Sequence, residues 1–210
     1  MPKDSLTVAE AKEMLLQVAD KIIESEPILT DADRALGDGD HGIGMARGMN
    51  AVKEKLGDVD FESLDKLFMN MGMAMTSSMG GASGAIFGTL FMKGGKALAG
   101  KDTLDAEGLA ALLKEGCEGV MARGGAKPGD KTMIDALNPA AEKAAEVLGS
   151  GLSKAAKAVA EAGEAGRDAS CDMIATMGRA KTLGENSLGK PDAGACSIAI
   201  ILRTISDFVE

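Results

Sequence analysis

The chain has 210 residues, 45% hydrophobic and 26% charged, with a formal net charge of −9. That balance can fill a core, and it excludes a general nucleic-acid binder, which needs a basic face. Aromatics make up only 2%, with no Trp or Tyr, against 14 Met; a core of Ala, Leu, Ile, Val and Met favours helices over strands. The three cysteines, Cys117, Cys171 and Cys196, form no CxxC pair and no zinc pattern, which fits a reduced, cytoplasmic setting. The start, MPKDSLTVAEAKEML, lacks the apolar region of a secretory signal, and no uncharged apolar stretch reaches the length of a membrane span.

In chain order, 6–24 repeats apolar residues at helical spacing, with Thr7 and Glu10 as a capping box and Pro27 closing the element. Thr30 then caps a short turn that Gly37 breaks. A helix is expected from Ile43 to Leu56 and another over 61–78. The methionines at 69, 71, 73, 75 and 79 are packing residues rather than a metal or haem site. Further helices are expected at 85–99, 105–122, from Met133 to Leu148, over 152–166, from Asp168 to Met177, and from Gly194 to Val209. No segment reads as a strand, and there is no repeat or dividing linker. The sum is about eight substantial helices in one domain.

Four stretches between these helices carry chemistry. The first, DADRALGDGDHGIG (31–44), places Asp33, Asp38 and Asp40 among glycines, next to the only histidine, His41. Carboxylates this close repel one another unless a cation compensates, and hard oxygen ligands suit Mg²⁺ or Ca²⁺. The following helix N-terminus favours phosphate. The second, SSMGGASG (77–84), feeds a helix. It either cradles phosphate through backbone donors and Ser83 or allows close helix packing; it is neither a P-loop nor a dinucleotide fingerprint. The third, RGGAKPGDKTMID (123–135), is turn chemistry in which Thr132 or Asp130 caps a helix. Lys127 and Lys131 there are mobile cations that meet phosphate or solvate the loop. The fourth, GRAKTLGENSLGKPDAGACS (178–197), reads as a ligand-facing loop or a surface linker. In an up-and-down bundle, loops separated by two helices share one end, so these stretches can line a single mouth.

Taken together, DADRALGDGDHGIGMARG, MGGASG, GDKTMIDAL and GRAKTLGENSLGKPDAGA resemble the nucleotide-binding L subunit or domain of dihydroxyacetone kinases, over essentially the whole chain. The resemblance implies an all-α, antiparallel up-and-down eight-helix barrel with the nucleotide at one end, spanning 1–210 as a single domain. It implies that Asp33, Asp38 and Asp40 hold two Mg²⁺. It implies nucleotide contacts at His41, Gly42, Ile43, Gly44, Ala82, Ser83, Gly124, Met133, Arg179, Asp192, Ala193 and Gly194. No side chain is singled out as catalytic, because transfer is metal-assisted.

The implied function is phosphoryl transfer. ADP is a resident cofactor, an M-type phosphocarrier subunit recharges it to ATP, and the phosphoryl group passes to dihydroxyacetone held by a separate K subunit. One alternative is an L subunit that uses free ATP, for dihydroxyacetone or a related small ketose. Another, of a different class, is a nucleotide-binding regulatory module. A homodimer stays open. The sequence departs from the family at Gly44, where Asn is usual, at Ala193, where Pro is usual, and at Asn186, where Arg is common.

Overall fold

The computed structural model describes residues 2–210. It is predominantly helical: α1 (Val8–Glu24), α2 (Glu26–Arg34), α3 (His41–Leu56), α4 (Leu64–Ser78), α5 (Gly81–Lys96), α6 (Ala106–Gly124), α7 (Ile134–Glu146), α8 (Leu152–Ala169) and α9 (Ala193–Val209). Two strands of two residues each, β1 (Leu6–Thr7) and β2 (Thr103–Leu104), pair antiparallel, Leu6 facing Leu104 and Thr7 facing Thr103. Composition did not announce this small clip. Among the described residues, no helix is long and apolar enough to cross a membrane.

The helices start where the sequence supplies caps. Thr7 accepts a hydrogen bond from the Glu10 amide, and the Glu10 side chain accepts one from the Thr7 amide, closing the expected capping box. Asp105 caps α6 through the Gly108 amide, and Asp192 caps α9 through the Ala195 amide.

Several boundaries differ from the expectation. Pro27 does not close α1; it stands in the first turn of α2, where a missing N–H costs nothing. Thr30 therefore lies inside α2, and its hydroxyl donates to Glu26 Oε1 at 2.9 Å instead of capping. α5 begins at Gly81, four residues earlier than expected, because Gly80 makes the preceding turn with φ 75°. Residues 168–177 are not one helix. α8 runs to Ala169, a 3₁₀ turn covers Ser170–Asp172, and Met173 is extended. A second 3₁₀ segment, Ala180–Ser187, is broken at Gly184.

Packing follows chain order. α1 packs on α3, α3 on α4, α4 on α5, α5 on α6, α6 on α7, α7 on α8, α8 on α9, and α9 returns to α1. α2 sits against α3 and α9. The interior is filled by aliphatic and thioether side chains, among them Leu15, Ile22, Met45, Met49, Met71, Met75, Leu113, Ile198 and Leu202, with Phe68 and Phe87. Met69 and Met73 face outward, so the alternating methionines obey the helical period and not a strand period. The Lys3 amide donates to the Val209 carbonyl and the Ser153 amide to the Lys3 carbonyl, fastening the N-terminal segment beside α8 and α9.

Candidate functional site

The chain turns sharply between α2 and α3. Gly39, at φ 76°, takes a backbone conformation that a side chain would strain. The turn brings Asp33, from the end of α2, back beside Asp38 and Asp40. Their carboxylate oxygens lie within 4.8 Å of one another. Asp33 Oδ2 also accepts the His41 amide at 3.1 Å, which fixes the cluster against the start of α3. Asp31 stays outside the cluster and pairs with Arg34 at 3.0 Å. Arg179, arriving from the loop after α8, forms an ion pair with Asp38. Three carboxylates against one guanidinium leave a net charge of about −2, and the donor set is hard oxygen throughout; both features fit a divalent cation such as Mg²⁺.

The cluster opens into a cavity of about 670 Å³, within the range of nucleotide-sized sites. All four singled-out stretches reach it. Asp33, Asp38, Asp40, His41, Ile43 and Gly44 line it from the first; Ala82 and Ser83 from the second; Met133 from the third; Arg179, Asp192, Ala193 and Gly194 from the fourth. The first turn of α5 lies on its wall, where helix N-termini carry free amides and a positive dipole end.

Two expected contacts stand elsewhere. Gly42 is buried against α2: a Cβ there would run into Thr30 Oγ1 and the Glu26 carbonyl. Gly124, at the end of α6, faces Ile86 from behind, and Ile86 is the residue that lines the cavity. Gly44 differs from both. A Cβ there would meet nothing nearer than the Met79 carbonyl at 4.0 Å, so the cavity wall has room for the side chain this sequence lacks. A second groove of about 540 Å³, between α6 and α7, contains none of the residues expected to hold metal or nucleotide.

His41 is buried, with Nε2 2.8 Å from Ser197 Oγ, and Ser197 Oγ in turn donates to the Ala193 carbonyl at 3.3 Å. Ser197 thus links the imidazole to the first turn of α9. Burial lowers the histidine's pKa, against the opposing pull of Asp33 and Asp40. Asp192 is shifted the other way. Desolvation pushes its carboxyl up to about 7, opposed by the Ala195 amide.

Lys131 overturns its sequence reading. It is not a mobile surface cation: it is 2% exposed, and its ammonium is held by three backbone carbonyls. Sequence reasoning also passed over Arg47, which lines the cavity and donates to the Met79 carbonyl at the turn before α5, and Phe87, whose ring centroid is 6.0 Å from that of His41. Helical register offered one signal for Arg47. It follows Gly44 by three residues and so shares its face.

Comparison with known proteins identifies the family. The DAK2 domain description matches residues 35–207. The chain belongs to the DAK2 domain family. Over 204 residues it is 35% identical to the ADP-binding subunit DhaL of the PEP-dependent dihydroxyacetone kinase of Escherichia coli, covering 96% of this chain and 97% of that one. It is 37% identical over 186 residues to the ADP-binding subunit DhaL of PEP-dependent dihydroxyacetone kinase 1 of Listeria innocua, covering 89% of each. Among solved structures, it superposes with TM-score 0.73 and 27% identity on the dihydroxyacetone kinase of C. freundii in complex with AMP-PNP and Mg²⁺. That match covers 99% of this chain and 34% of the larger kinase.

Proposed function

We infer that this chain is the nucleotide-binding subunit of a dihydroxyacetone kinase. It holds ADP/ATP and passes a phosphoryl group from an M-type phosphocarrier subunit to dihydroxyacetone bound on a separate K subunit. One observation carries this reading: the carboxylate cluster and the loops of all four stretches meet at one nucleotide-sized cavity. Relatives of nearly the same length, named as ADP-binding subunits of such kinases, support it. The reading takes residues 1–210 as a single nucleotide-binding domain in the cytoplasm. It takes α1 and α3–α9 as an eight-helix barrel, supported by the cyclic order in which those helices pack.

Each residue's part follows from its chemistry. Asp33, Asp38 and Asp40 would hold two Mg²⁺. Bound magnesium offsets the negative charge of the phosphates and aligns the transferring group. The free amides of Ala82 and Ser83 at the start of α5, and of Ile43 in the first turn of α3, donate to phosphate oxygens, whereas the Gly44 amide donates to the Asp40 carbonyl at 2.9 Å and lends its bare Cα to the wall. Met133 offers an apolar surface to a base. Arg179, already tied to Asp38, brings a planar cation to the phosphates. Gly42 and Gly124 stand outside the cavity lining, where Gly42 lets α2 and α3 approach closely and Gly124 faces Ile86.

The test is label transfer. An M-type phosphocarrier bearing a labelled phosphoryl group is incubated with Mg²⁺ and dihydroxyacetone, together with this chain, a K subunit or both. Labelled dihydroxyacetone phosphate should form only when both proteins are present. Transfer by the K subunit alone, or none with the complete set, would contradict the assignment.

A further inference from the structure

Lys131 has an unusual set of surroundings. It is the one non-glycine residue with a positive φ, 59°, among the described residues. A left-handed lysine is strained, and a nearly fully buried ammonium is costly. The local turn enforces both. The Asp135 carboxylate accepts the Gly129 amide at 2.6 Å and the Thr132 amide at 2.7 Å, one from each side of Lys131, and so turns the lysine inward.

The ammonium then donates to the carbonyls of Ser170 at 2.8 Å, Met173 at 3.1 Å and Lys190 at 2.7 Å. An ammonium has three donors, so all are used and none is left for a phosphate. No carboxylate among the described residues forms an ion pair with it. Burial lowers its pKa, while Cys171, Asp192, Asp172 and Asp135 work to keep it charged.

The three carbonyls bracket one segment. Residues 171–190 bury only Ala175 and Ser187 and place no large apolar side chain in the core. Hydrophobic packing therefore cannot hold this stretch. Polar ties do so instead: Thr176 Oγ1 donates to Asp130 Oδ1 at 2.7 Å, the Gly189 amide to the Cys171 carbonyl at 2.8 Å, and the Asp192 amide to Ser170 Oγ at 3.0 Å. Lys131 joins these ties from outside the segment and bonds carbonyls at both of its ends. Met177, Gly178, Arg179 and Ala180, within it, line the cavity.

We propose that Lys131 is a positioning residue. Its buried ammonium fastens the 171–190 segment to the start of α7 and so presents Arg179 and Asp192 to the nucleotide. The nucleotide part rests on the function proposed above; the clamp itself does not.

The experiment compares wild type with Lys131→Met, which keeps length and removes all donors. Amide hydrogen exchange is followed without ligand, beside titrations with ADP plus Mg²⁺ and with Mn²⁺ alone. In the variant, amides of 173–190 should exchange about tenfold faster or more, while those of α1–α5 keep their wild-type rates. Affinity for ADP should fall about tenfold, because binding must now order the segment. Affinity for Mn²⁺, which reads Asp33, Asp38 and Asp40, should not fall, because the loosened segment withdraws from the cluster only the cation Arg179 that pairs with Asp38. If Lys131→Met does not fold, Lys131→Gln, with two donors, should show the same changes in smaller measure. Unchanged exchange in 173–190, or faster exchange with unchanged ADP affinity, overturns the proposal. If wild type binds no ADP, the nucleotide reading fails, and the exchange comparison alone upholds or overturns the clamp.

Discussion

Three carboxylates within 4.8 Å of one another serve no core, since Asp38 and Asp40 are exposed. Replacing either by Asn removes one negative oxygen ligand and should lower Mn²⁺ affinity about tenfold or more. Helical circular dichroism should stay unchanged, and calorimetric titration checks the affinity. Asp192 gives a pH signature. Its folded pKa, about 7, lies above the usual carboxylate value, so between those two values the folded state holds a proton that the unfolded chain has lost. That contribution to stability is complete below the unfolded pKa and is lost as pH rises through the folded one. Asp192→Asn, an equally good helix cap, should therefore raise the urea midpoint above wild type at about pH 8 and leave it nearly equal at about pH 4. Equal midpoints at both pH values would contradict the shift. Residue chemistry was legible where it was local. The spacing of Asp33, Asp38 and Asp40 needed only one turn to converge. Lys131 was not legible, because its burial depends on carbonyls 39 to 59 positions away.

At the scale of elements, glycine content hid a packing role behind a motif. Gly42 sits within DGDHGIG, yet its missing side chain faces α2. Gly42→Ala should force α2 and α3 apart and cost about 1–3 kcal/mol by urea denaturation. Loosening of the carboxylate turn, seen as weaker Mn²⁺ binding, should accompany that loss. A stability equal to wild type would show that the two helices can separate freely. Most helices were legible from apolar spacing, and the α1 capping box from two residues. The misplaced boundaries share a cause. Pro27 and Gly80 are breakers by propensity, but each starts a helix in its tertiary setting. The stretch 168–177 carries helix-forming residues, yet the Lys131 ammonium takes the Ser170 and Met173 carbonyls.

On the scale of the whole molecule, the order of the special loops foretold their convergence on one cavity, because helices that alternate in direction return every second loop to the same end. The packing of α9 back onto α1 could not be read from pattern, since it joins segments nearly the whole chain apart. The β1–β2 clip was missed for the same reason, its two residues per strand leaving no periodicity to detect. The central claim, a resident nucleotide held through metal, is tested most directly by the nucleotide content of the protein purified without added nucleotide. The protein is denatured, and the released small molecules and Mg²⁺ are quantified against chain concentration. The account predicts close to one ADP per chain, with Mg²⁺ accompanying it. An empty protein that binds neither ADP nor ATP, even with Mg²⁺ supplied, would contradict it.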